Sequence, residues 1–72
     1  MDWESIRRNW RHYLPLAHAK WAEITERELE LIDGQREALA DHISGVYGIS
    51  HDAAQIELVS WQGQLRAIKP TS

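Results

Sequence analysis

An all-α fold, a small single-domain bundle of about four short helices, is what the sequence predicts, and three observations carry that prediction. Apolar residues recur at steps of three and four through most of the chain, the spacing that lines one face of a helix. Helix start and stop signals stand where this spacing is interrupted. No stretch alternates apolar and polar residues with the period of two that a strand requires.

Trp3, Ile6, Trp10, Tyr13, Leu14, Ala17 and Trp21 place the first helix from about Asp2. Pro15 falls inside it, lacks the N–H that would bond the carbonyl of Arg11, and disfavours helical geometry at Leu14. A kink or break at Pro15 is therefore expected. In "ITERELELIDGQ", Thr25 and Glu28 have the spacing of a capping box, in which each side chain bonds the other's backbone amide. A short second helix should run from Glu26 to Asp33, with Leu29 and Ile32 inward and Gly34 as its stop. A third helix from about Gln35 carries Leu39, Ile43, Val46 and Tyr47 on one face and ends at Gly48. Ser50 caps a fourth, with Ala54, Leu58, Trp61 and Leu65 as its stripe. The expected core is Trp10, Trp21, Leu29, Ile32, Leu39, Ile43, Tyr47, Leu58 and Trp61. The whole chain, 1–72, reads as one helical domain whose residues 69–72 form a loose tail.

At 72 residues, folding buries only about 60% of the surface of the unfolded chain. There is no cysteine, which excludes disulfides, thiolate metal sites and cysteine nucleophiles. Packing must hold the fold, and each of the four tryptophans brings on the order of 150 to 250 Å² of surface to bury. No apolar run is long enough for a membrane span and no signal peptide opens the chain, so the expected location is the cytoplasm, with no membrane partner. The net charge of −3 is uneven: residues 1–21 carry +2, residues 22–60 carry −7, and Arg66 and Lys69 add +2. The acidic middle should repel nucleic acid.

Trp10, Trp21, "ELIDGQREAL", "VYGIS" and Trp61 together resemble the CsbD-like family of small bacterial general stress-response proteins. Trp10, Trp21, Thr25, Gly34, Arg36, Leu39, Tyr47, Gly48, Ala54 and Trp61 match that family's pattern from end to end with no insertion or deletion. The departures cluster in "RHYLPLAHAK", where Pro15 stands at the family's glycine and Leu14, Leu16 and His18 at lysines. Ala22 and Ala40 also replace glycines. The resemblance implies a small helical fold packed as hairpins, somewhat like a SAM domain, and a non-enzymatic role in stress response. It carries over no site residues.

The residues themselves point away from catalysis. His12 and His18 are six apart, facing different sides of a helix, and no histidine pair has the three- or four-residue spacing of a helical metal site. Ser5 and Ser50 sit where caps are wanted, and no serine lies in an elbow motif. Glu26, Glu28 and Glu30 stand at a helix start, where they favour the positive end of its dipole. No catalytic, metal or cofactor-binding residue is assigned, and no cofactor is expected. "GVYGISHDAAQI" has the outline of a phosphate-gripping helical hairpin, yet no lysine or arginine occurs between Arg36 and Arg66, so a structural junction is expected. What remains is a candidate partner surface of Arg7, Arg8, Arg11, Leu14 and Leu16, with the arginines on the helix side away from Trp10. It would dock a protein or support weak self-association, with weak nucleic-acid binding a lesser alternative.

Overall fold

The computed structural model describes residues 3–67. Among them are five helices and no strand: α1 (Trp3–Arg8), α2 (Trp10–Lys20), α3 (Glu26–Ile32), α4 (Arg36–Tyr47) and α5 (His51–Ala67). The expected start at Asp2 and the tail 69–72 lie outside the described residues.

The first helix is split, and the split falls at Asn9 rather than Pro15. The Asn9 side chain donates to the Ser5 carbonyl at 2.9 Å and its backbone N–H donates to the same oxygen at 3.2 Å. Asparagine competes with the helix for local backbone groups in this way, and its φ of −109° and ψ of 33° leave helical geometry. α2 restarts with His12 donating to the Asn9 carbonyl at 2.8 Å. It then continues through Pro15, which is exposed. Ser5 lies inside α1.

The second expected helix is found as α3. Thr25 Oγ1 accepts from the Glu28 N–H at 3.1 Å and Glu28 Oε1 accepts from the Thr25 N–H at 3.0 Å, completing the capping box. The helix ends one residue early, because Asp33 already takes a left-handed conformation with φ 54°, followed by Gly34 at 74°. Gly34 is needed for a second reason. A Cβ there would stand 3.0 Å from both Cα and Cγ of Arg7, and its carbonyl accepts from the Trp3 indole at 2.8 Å.

The junction between α4 and α5 satisfies itself. Gly48 has φ 65°, Ile49 N–H donates to the Ser44 carbonyl at 3.2 Å, and Ser44 Oγ donates to the Ile49 carbonyl at 2.7 Å. Ser50 Oγ accepts from the Ala53 N–H at 3.1 Å. His51 Nε2 lies 3.4 Å from Asp41 and 3.5 Å from Glu37, tying the start of α5 to α4. The amides of Ile49 and Ala53 are thus already engaged, and the carboxylates of Glu37 and Asp41 stand at the start of α5.

The core contains eight of the nine expected residues, all except Tyr47. Tyr47 is 39% exposed because its hydroxyl reaches the chain surface to accept from the Glu23 N–H at 3.1 Å, and Val46 is also exposed. Ala40 completes the inner face of α4 instead, and Ile24, in the turn after α2, is fully buried. Trp61 stands between Trp21 and Trp3, with ring centroids 5.2 and 6.0 Å away. It joins α5 to both the N-terminal helix and the turn before α3.

Candidate functional site

A surface groove of about 580 Å³ lies between α1 and α2 on one side and the C-terminal end of α3 on the other. Arg7, Arg8, Trp10, Arg11, Leu14, Glu30 and Asp33 line it. Four of the five residues expected to form a partner surface therefore come together here. Leu16 does not join them; it is 39% exposed elsewhere on α2.

The groove is built by the break at Asn9. Arg7 and Arg8 close the last turn of α1, whereas Arg11 lies in the first turn of α2, so one wall draws on two helices. The three arginines are exposed and Trp10 is buried, with part of its ring reaching the groove they line. Trp10 is 5% exposed and its indole N–H donates to the Leu29 carbonyl at 2.8 Å, pinning α2 to α3 beneath the groove. Its donor is thus committed, and it contributes ring carbon. Leu14 packs against the core as a partly buried side chain beside it.

The charges are divided by wall. Arg7 Nη2 pairs with Glu4 Oε2 at 2.6 Å; this hydrogen bond, with the charges of Glu4 and Asp33, raises the guanidinium above its ordinary pKa. Glu30 in α3 and Asp33 just after it line the opposite wall. Glu30 is in the last turn of that helix, at the negative end of the dipole, not at the start where the spacing had placed it. Glu30 and Asp33 are the groove residues that sequence reasoning missed. Their only signal was a carboxylate row ending at Gly34, which reads equally well as a solvated helix face.

Chemically the groove offers guanidinium groups suited to paired hydrogen bonds with carboxylates, an apolar floor, and acceptors on the far side. It presents no serine, threonine or cysteine nucleophile. Among the described residues, no three His, Asp or Glu side chains are arranged to hold a metal ion, and no helix is long and apolar enough to cross a membrane.

No family model matches the chain, and no solved structure does. The UPF0337 protein YjbJ of Escherichia coli K12 is 30% identical over 54 residues, which cover 75% of this chain and 78% of that protein. The chain belongs to the UPF0337 family. Two further UPF0337 proteins agree: ECA0631 of Pectobacterium atrosepticum is 32% identical over 54 residues, 75% of this chain and 78% of its own. NE2439 of Nitrosomonas europaea is 29% identical over 69 residues, 96% of this chain and 73% of its own. These UPF0337 relatives are bacterial proteins that this chain resembles along most of its length.

Proposed function

We propose that the protein acts without catalysis, in the bacterial cytoplasm, as a member of the CsbD-like kind of general stress-response protein, and that it docks a protein partner in the groove. The stress role rests on the resemblance read from the sequence. The docking role rests on one observation: the matching residues serve the fold, while the groove's arginines are not among them. Trp10, Trp21, Leu39, Ala54 and Trp61 are buried, Gly34 and Gly48 hold left-handed turns, and Thr25 caps α3. Arg36 stacks over Trp3 at 6.0 Å, and Tyr47 holds the turn at Glu23. Arg7, Arg8 and Arg11 have no such duty in the core, and Leu14 takes a place where the family pattern has lysine.

A protein partner suits the groove better than a nucleic acid, because Glu30 and Asp33 would oppose a phosphate chain that the arginines attract. The test is photocrosslinking in the native cells from a probe at Arg8, in growth and under stress. One reproducible partner, lost when the probe is moved to Asp41 on the outer side of α4, supports docking. Diffuse crosslinks from both positions would overturn it.

A further inference from the structure

We propose that the groove is a self-complementary interface whose partner is a second copy of this chain, related by a two-fold axis passing through the groove. The proposal rests on reading the groove as a docking surface and names the occupant. Its basis is the arrangement of charge. One wall is cationic and the other anionic, so a half-turn of a second copy lays the arginines of each over the carboxylates of the other. A patch that pairs with itself in this way is what a closed two-fold dimer requires.

Three of the five charges concerned are uncommitted among the described residues. Arg7 is held by Glu4, but Arg8, Arg11 and Glu30 have no ion-pair or hydrogen-bond partner among the described residues. Arg8 suits the last turn of α1, but the helices of Arg11 and Glu30 do not account for them. Arg11 occupies the first turn of α2, which has no acid, and Glu30 the last turn of α3, which has no base; both oppose their helix dipoles. Side chains set against the preference of their own helices gain when an opposite charge arrives from outside. Trp10 and Leu14 give the floor apolar surface to exclude water around the new pairs. A contact confined to this groove belongs among weak, concentration-dependent associations.

The experiment is sedimentation equilibrium of the full chain alongside Glu30→Arg and the double variant Arg8→Glu, Arg11→Glu, each checked for unchanged helix content by circular dichroism. The parent should pass from monomer to dimer between micromolar and millimolar concentration. Raising salt from about 0.1 M to about 1 M, which shortens the screening length from about 10 to about 3 Å, should weaken it roughly tenfold. Each variant alone should remain a monomer, and an equimolar mixture of the two should recover the dimer, because both contacts then again join opposite charges. If a reversal unfolds the chain, Glu30→Gln and Arg8→Gln serve in its place, each expected to weaken the dimer. A parent that stays monomeric, variants that dimerise as the parent does, or a mixture that does not recover would overturn the proposal. A monomeric parent together with a foreign protein crosslinked at Arg8 would overturn self-pairing and leave docking standing. Absence of any specific crosslink would remove both.

Discussion

At Gly34 two demands coincide that are separate at Gly48. Both residues hold positive φ, which costs a side-chain-bearing residue about 1 kcal/mol or more. Only Gly34 also lies under another helix, with the backbone and side chain of Arg7 at 3.0 Å from where a Cβ would stand, whereas nothing lies within 4 Å of one at Gly48. Gly48→Ala should therefore lower unfolding free energy by about 1 kcal/mol, and Gly34→Ala by at least about 2 kcal/mol. Urea denaturation of both variants checks the order; equal losses would mean that the approach of α1 costs nothing to relieve. Glu28 permits a second prediction. The hydrogen bonds from the Thr25 backbone and side chain, aided by the charge of His42, hold its carboxyl below the ordinary value. A group lowered on folding stabilises the fold above its unfolded pKa, and that contribution is lost as pH falls through the folded one. Glu28→Gln should lower the neutral and alkaline plateau of the stability curve and flatten its fall on the acid side, so that variant and parent converge at low pH, as measured by thermal melts across pH.

Among the elements, α1 and α2 best separate what the sequence could and could not convey. The periodicity, the capping box, and the stops at Gly34 and Gly48 were all legible, because each is a local preference of a few consecutive residues. The split at Asn9 was not, because proline is the stronger breaker on general grounds and the Asn9 to Ser5 bond exists only once the chain has turned. Pro15 in turn escapes much of its usual effect by lying exposed in a helix anchored at Trp10 and Ala17. It still withholds one N–H from the ladder, so Pro15→Ala should stabilise the protein by about 1 kcal/mol, read from chemical denaturation. A loss of stability would mean that the proline gains more from restricting the unfolded chain than it forfeits in α2. The same limit applies to the groove. Four of its residues follow from a basic and apolar cluster in sequence, but Glu30 and Asp33 join them only through the packing of α2 on α3. Ile24 was hidden for a related reason, since a buried residue in a turn has no periodicity to betray it.

For the molecule as a whole, the indoles take the place of the missing disulfides. Trp10 bonds to Leu29, Trp21 to Glu57 and Trp3 to Gly34, so each ring fastens its own segment to a distant one. Trp61 is the common neighbour of Trp3 and Trp21. Deleting such a ring costs about 3 to 5 kcal/mol, comparable to the total stability of about 5 kcal/mol at the lower end for small domains. Trp61→Ala should therefore be largely unfolded at room temperature, visible as loss of the helical circular dichroism signal; a native-like spectrum with a cooperative melt would show that the core closes without it. The same three rings have an optical consequence. Indoles 5.2 and 6.0 Å apart, tilted by 63° and 58°, are close enough for their strong far-ultraviolet transitions to couple, so the folded protein should show a couplet superimposed on the helical signal. Because Trp3 belongs to the six-residue α1, undocking of that helix alone would alter the couplet while the helical signal beneath it barely changed. The chain thus carries its own label-free reporter of whether the arginine-bearing end is seated.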